Sequence, residues 1–273
     1  MPELPEVEVV RCFLESRIIG KKILKVSTVN EKLRYKVPSN LNLSLQNLII
    51  TKILRRGKYL ILFFKDSKLS LLIHLGMTGY FRLSDELVEK KHDHVIFFLK
   101  KKKLIFNDIR KFGFIKIYCD KEIFFSSHLI NMGVEPLGTN FNFNYFNSFR
   151  KRTVDLKGLL MNQSFIAGLG NIYCSEILYD ARLSPLRKIN SLNNLEIRNI
   201  VKSTKKILKR AISFGGTTIK NFIVSEEKIG YFKNKLKVYS RDKKNCLRCS
   251  KGILIKKIRQ SGRSTFFCEK CQK

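Results

Sequence analysis

At 273 residues the chain can bury one large core or two modest ones without disulfide support. Its 54 Lys and Arg outnumber 22 Asp and Glu, and the net charge of +32 favours polyanionic partners over cationic ones. No apolar run reaches bilayer-spanning length, and the acidic start Met1-Pro2-Glu3-Leu4-Pro5-Glu6 lacks a signal peptide's basic flank; the expectation is a cytoplasmic protein that does not engage a membrane. Charge alone does not name the partner, because AT-biased codons also enrich Lys, Asn, Ile and Phe.

Taken in chain order, Val7, Val10, Leu14 and Ile18 recur at helical spacing and Gly20 follows as a stop, which predicts an amphipathic helix near the N-terminus. Short runs rich in Ile, Leu, Val and Phe come next: 23–29, 59–64, 69–75, 95–99, 104–106 and 114–118. Separated by Gly and charged turns, they predict an antiparallel β-sandwich. Gly133-Val134-Glu135-Pro136-Leu137-Gly138 and the Asn-rich, aromatic 140–147 read as a linker. Helical periodicity returns over 154–163, 171–181 and 195–214, and a tail from Lys237 carries four cysteines among short β-like pieces. The class is α+β, with an N-terminal sandwich domain at 1–132, a linker at 133–148, a helical domain at 149–236 and a cysteine hairpin at 237–273.

Cys246-x-x-Cys249 and Cys268-x-x-Cys271 have the two-knuckle spacing of a structural zinc site, and four thiolates leave no coordination position for water. One structural Zn2+ per chain is therefore expected, holding rigid a hairpin that includes Gln260-Ser261-Gly262-Arg263-Ser264-Thr265. An Arg at such a tip is suited to bidentate contact with a phosphate. Cys12, Cys119 and Cys174 lack ligand spacing and read as small packing residues.

Pro2 follows the initiator Met, whose removal leaves a secondary amine with a pKa near ~8, a usable nucleophile at neutral pH. Attack on a sugar C1′ would expel a base and leave an iminium that serves as an electron sink for β-elimination. Glu3 and Glu6 are close enough in sequence to exchange protons there, Glu3 most directly. Read alone, the same residues are an ordinary helix N-terminus, where Pro and acidic side chains are favoured.

The opening Met1-Pro2-Glu3-Leu4-Pro5-Glu6-Val7-Glu8 resembles that of the formamidopyrimidine-DNA glycosylases. Five further stretches agree in order: Arg55-Arg56-Gly57-Lys58-Tyr59-Leu60, His74-Leu75-Gly76-Met77-Thr78-Gly79, Lys91-His92-Asp93-His94-Val95, Asp108-Ile109-Arg110-Lys111-Phe112-Gly113 and 163–173. The hairpin ending Gly262-Arg263-Ser264-Thr265-Phe266-Phe267-Cys268 completes the likeness, which covers essentially the whole chain. It implies a monomeric glycosylase and AP lyase acting on double-stranded DNA with oxidised purines, and a helix-two-turn-helix module in the helical domain. By the same likeness Pro2 is the Schiff-base nucleophile, Glu3 the proton donor at the sugar, Lys58 the group assisting β-elimination and Arg263 the one assisting δ-elimination, with Glu6 orienting the site. Met77, Arg110 and Phe112 match the residues that fill the gap left by an extruded base, as base extrusion requires. Asn171, which reads as a helix N-cap, matches a phosphate contact, as do His92, Arg152 and Tyr239.

The sequence departs from the family pattern at Ser240 and Ser250, where Gly is usual, and in the composition of the stretch after Gly215-Gly216-Thr217-Thr218, through Ser225-Glu226-Glu227-Lys228. Two alternatives carry other expectations. An oxidised-pyrimidine glycosylase of the endonuclease VIII kind is disfavoured by Leu4 and Arg110-Lys111-Phe112, and a non-catalytic DNA-binding homologue would keep only the zinc hairpin and basic face.

Overall fold

The computed structural model describes residues 1–86, 90–217, 231–249 and 251–273. The stretch 225–228, with Thr218 and Ser250, lies outside the described residues. The chain forms two compact units, Met1–Ile130 with Phe214–Tyr231, and Asn131–Ser213 with Phe232–Lys273.

The first unit opens with α1 (Leu4–Ile18), whose Leu4, Val7, Val10, Leu14 and Ile18 are wholly buried. A capping box starts it: Glu3 and Glu6 each accept a hydrogen bond from the other's backbone N–H, satisfying donors a helix start leaves open. After β1 (Lys25–Thr28) and α2 (Leu41–Leu45) come β2 (Ile50–Arg56), β3 (Tyr59–Phe64), β4 (Leu69–His74), β5 (Tyr80–Ser84), β6 (Asp93–Phe98), β7 (Lys103–Asn107) and β8 (Phe114–Cys119). They pair as two four-stranded antiparallel sheets, ordered β2-β3-β4-β8 and β1-β6-β7-β5. β3, β4, β6 and β7 hold the inner positions and are buried along most of their residues, as strands covered on both faces are. Helix α1 packs on β2 and β3.

Registry decides what the sheets display. Pairs Arg56↔Tyr59, Tyr59↔His74 and His74↔Phe114 align the Gly57-Lys58 turn, the end of β4 and the start of β8 at one edge of the first sheet. In the second sheet Tyr80↔Asn107 and Asp93↔Asn107 align the start of β5, the start of β6 and the end of β7. Two segments, 75–79 and 108–113, therefore each cross from one sheet to the other.

The second unit holds α3 (Phe143–Asn147), α4 (Leu156–Met161), α5 (Asn171–Ala181) and α6 (Asn194–Ser213), then the hairpin β9 (Lys256–Gln260) and β10 (Arg263–Phe267). Within the stretch 133–148 that reads as a linker, Asn142 accepts from Tyr145 N–H to cap α3, while Phe141 and Phe146 are fully buried. Helix α5 packs on α4, α6 and β10. Ile197, Ile200, Thr204, Ile207, Leu208 and Ala211 form the buried face of α6.

Candidate active site and nucleic-acid interface

Pro2 and Glu3 are buried at the head of α1. Burial is the largest influence on the terminal ammonium of Met1 and lowers its pKa; Glu3 and Glu6 oppose this, and Lys58 and Arg110 reinforce it. These four charged residues thus share the electrostatic surroundings of the chain start. Glu6 Oε1 accepts from Thr217 N at 2.8 Å and Thr217 Oγ1 at 2.9 Å. Gly216, at φ +77°, passes so close that a Cβ there would lie 3.0 Å from Glu6 Oε1. Glu6 is therefore both half of the helix cap and the anchor of a segment 211 residues away.

Lys58 is 8% exposed and follows Gly57, whose φ of +55° makes the two-residue turn between β2 and β3. Arg55 fixes that turn to α1: its Nε donates to Glu8 Oε2 at 2.7 Å and its Nη1 to the Gly57 carbonyl at 3.1 Å. Burial pushes the Glu8 carboxyl up, but hydrogen bonds from Arg55 and Arg11 outweigh it and hold the group below its ordinary value. Cys12, expected as a packing residue, is instead exposed beside Glu8 and Arg11.

Segment 75–79 carries Met77, half-buried, and segment 108–113 carries Arg110 and Phe112, both exposed, with the guanidinium 4.7 Å from the Phe112 ring centroid. His74 Nδ1 accepts from Gly76 N–H at 3.1 Å, which requires an imidazole unprotonated on that nitrogen; burial lowers the His74 pKa to about 4, and the Lys58 and Arg34 charges act in the same direction. His92 sits at φ +74° in the turn before β6. Buried Asp93 shapes that turn by accepting from Lys90 N, Asn107 Nδ2 and Arg82 Nη2.

In the second unit the four cysteine Sγ atoms lie within 4.8 Å of one another, with Cys246–Cys271 at 3.9 Å and Cys249–Cys268 at 3.7 Å. A tetrahedral zinc with bonds of ~2.3 Å sets its sulfur atoms about 3.8 Å apart, so this group could hold one zinc ion. Arg248 lies over the Tyr179 ring and donates to the Tyr179 carbonyl at 2.9 Å, which ties the first knuckle to the end of α5.

The hairpin turns through Ser261 and Gly262, both at positive φ, and leaves Arg263 exposed at its tip. Side chains fasten it to the helices. Lys157 Nζ, buried on α4, donates to Thr265 Oγ1 at 2.5 Å; Asn171 Nδ2 donates to the Ser264 carbonyl at 2.8 Å; Gln260 Nε2 donates to Asp155 Oδ1 at 2.7 Å. The expected capping role of Asn171 is corrected: Gly170 is the N-cap, Asn171 is the first helical residue, and its amide reaches the hairpin instead. Arg152 is exposed, its guanidinium over the Phe149 ring.

Tyr239 is positioned by a residue the sequence reading passed over. The buried carboxylate of Glu176 accepts from the backbone N–H groups of Lys237, Val238 and Tyr239 at 2.8 to 2.9 Å. Burial raises its pKa, and the three N–H donors pull it back. The available signal was an acidic residue in the apolar helical run from Ile172 to Tyr179. Glu176→Ala strands three backbone donors, that of Val238 buried, and is expected to cost on the order of 3 kcal/mol, measured by urea unfolding; a loss below about 1 kcal/mol would contradict this account.

Residues 1–115 match the N-terminal domain model of formamidopyrimidine-DNA glycosylase, 132–223 its H2TH domain, and 243–273 a zinc finger found in FPG and IleRS. The chain is 44% identical over 276 residues to the formamidopyrimidine-DNA glycosylase of Rickettsia bellii, with both chains covered in full, and 44% identical to that of Rickettsia felis, covering 98% of it. This chain belongs to the formamidopyrimidine-DNA glycosylase family. Membership makes it a DNA glycosylase of base excision repair, with DNA as its partner. Solved structures of the Lactococcus lactis Fpg agree in fold at 35% identity: a point mutant with DNA containing Fapy-dG (TM-score 0.91, both chains covered in full) and a complex with abasic-site DNA (0.91, 99% of each). The sheets with their N-terminal helix, the helical H2TH module and the zinc hairpin are the family's architecture.

Proposed function

We propose that this chain releases oxidised purines, 8-oxoguanine and formamidopyrimidines, from duplex DNA through an iminium on Pro2 and then cuts the strand by β,δ-elimination. The observation that carries this reading is the burial of Pro2 and Glu3 at the head of α1, at a chain start whose electrostatic surroundings include Glu3, Glu6 and Lys58. With Met1 removed, the Pro2 nitrogen attacks C1′ and the base departs with the glycosidic electron pair. Glu3 delivers a proton to the ring oxygen as the sugar opens to the iminium. Loss of a C2′ proton then breaks the C3′–O bond with help from Lys58, and Arg263 assists the second elimination at C5′.

Met77, Arg110 and Phe112 fill the space left by the extruded nucleotide, Arg110 facing the orphaned cytosine. His92, Arg152, Asn171 and Tyr239 hold backbone phosphates, and Glu6 orients the chain start. The enzyme acts as a monomer in the cytoplasm; no helix among the described residues is long and apolar enough to cross a membrane. The working parts follow the sequence divisions 1–132, 133–148, 149–236 and 237–273.

A second reading, release of oxidised pyrimidines, has one observation behind it: the wild-type Lactococcus lactis Fpg was solved with DNA containing an oxidised pyrimidine (TM-score 0.89, 35% identity). The deciding measurement is initial-rate release of 8-oxoguanine opposite cytosine against release of thymine glycol. Preference for 8-oxoguanine is the expected result, and strong preference for thymine glycol would overturn the proposal.

A further inference from the structure

Segments 75–79 and 108–113, which each cross between the sheets, meet at one buried side chain, Asp108, which has no exposed surface. Its Oδ1 accepts from the Thr78 hydroxyl at 2.5 Å and from Arg110 N–H at 3.2 Å, and its Oδ2 accepts from Gly113 N–H at 2.7 Å. Thr78 Oγ1 in turn accepts from Arg110 N–H at 3.0 Å. The Asp108 main chain extends the junction: its N–H donates to the His92 carbonyl at 3.1 Å, and its carbonyl lies 2.8 Å from His94 Nε2. One carboxylate thus spans the segment bearing Met77, both ends of the segment bearing Arg110 and Phe112, and, through its backbone, the turn bearing His92.

The segments also touch directly. A Cβ on Gly76 would sit 2.3 Å from Gly113 N, and one on Gly113 would sit 3.0 Å from Asp108 Oδ2. They form one rigid block, and without the carboxylate three donors in that block would lose an acceptor. An exposed wedge such as Phe112 must hold its shape against the stack it enters, and misplacement by about 1 Å at a reacting or reading group can cost on the order of 100-fold in rate.

We propose that Asp108 is a positioning residue that sets Met77, Arg110 and Phe112 as one unit, so that it governs extrusion of the damaged nucleotide and reading of the opposite base rather than the chemistry at Pro2. The inference rests on the proposed gap-filling role of those three side chains. Asp108→Asn tests it, because the near-isosteric amide keeps one acceptor oxygen and turns an NH2 toward one of the donors. The variant is assayed on an 8-oxoguanine:cytosine duplex, on the same duplex with a fluorescent cytosine analogue opposite the lesion, and on a duplex with a preformed abasic site, which needs no base extrusion.

Excision of 8-oxoguanine is expected to fall on the order of 30-fold in kcat, with cleavage at the abasic site kept within about threefold. The opposite-cytosine fluorescence change on binding should shrink, and preference for cytosine over adenine opposite the lesion should narrow. Equal losses on both substrates, or loss on neither, would overturn the inference. If Asp108→Asn does not fold, Thr78→Val removes one arm of the junction and should give the same split at smaller amplitude; its overturning outcomes are the same. Failure of the underlying reading looks different, since the unaltered chain would itself show no discrimination of the opposite base.

Discussion

Pro2→Gly is expected to reduce the borohydride-trapped protein–DNA adduct and strand cleavage by on the order of 1,000-fold, with zinc content and DNA binding retained. Two properties go with the ring. A secondary amine yields an iminium with no N–H to lose, which stays cationic until the C2′ proton is taken, whereas the Gly primary amine yields an iminium that can lose its N–H proton and become a neutral imine. The ring also fills the buried head of α1, and its loss frees the terminal nitrogen to wander. Adduct formation is expected to decline as pH falls and the Pro2 nitrogen gains a proton, since only the free amine is a nucleophile. The measurement needs protein confirmed by mass spectrometry to begin at Pro2. Undiminished trapping and cleavage by Pro2→Gly would overturn the role given to the Pro2 ring, and binding without any adduct in the unaltered chain would favour a non-catalytic homologue.

Removing the metal should have the other large effect. Cys249→Ser, or extraction by a strong chelator, is expected to weaken binding to lesion duplex by at least about 100-fold and to lower the thermal midpoint of the second unit, because four-thiolate zinc supplies the folding energy of so small a hairpin. Damage should spread beyond the hairpin. Lys157 and Glu176 are buried ions of the helical part whose described partners include Ser264, Thr265 and residues 237–239. With the hairpin unfolded both would be left in a site without those partners, and a helix cannot keep such a group dry. Mobility-shift titration with and without the metal, alongside metal analysis, checks this. Apo protein with the same affinity and midpoint would show the metal to be dispensable.

Local patterns in the sequence reported most of the architecture. Helix α1 was legible because its apolar residues recur three or four apart along its length, β3, β4, β6 and β7 because inner strands are rich in apolar residues, and the edge strand β8 because Phe114, Ile115, Ile117 and Tyr118 still make a short apolar run. β2 and β5 were not singled out: both lie at a sheet edge, and Lys52, Arg55 and Arg56 in β2 and Arg82 in β5 interrupt the apolar pattern. Phe141 and Phe146 gave the stretch before α4 more core than its Asn content implied. At the candidate site, the spacing of the cysteines gave the metal-binding group and the family resemblance pointed to Pro2, Glu3 and Lys58, but the supports of all of them were invisible. Thr217 reaches Glu6 across 211 positions and Thr265 reaches Lys157 across 108, and no periodicity or spacing rule operates at such separations.

Among the glycines and their replacements lies a record of what mutation can reach. Ser240 stands where the family's pattern has Gly, at φ +56°, a backbone state that costs a side-chain-bearing residue about 1 kcal/mol and little else. A single G-to-A change in a glycine codon makes that replacement. The same change at Gly76 would press a carbon to 2.3 Å from the Gly113 nitrogen, and at Gly133 to 2.2 Å from the Phe165 carbonyl. Turns held only by a dihedral preference can therefore take a side chain at modest cost, while those closed by a backbone wall have no room for one added carbon.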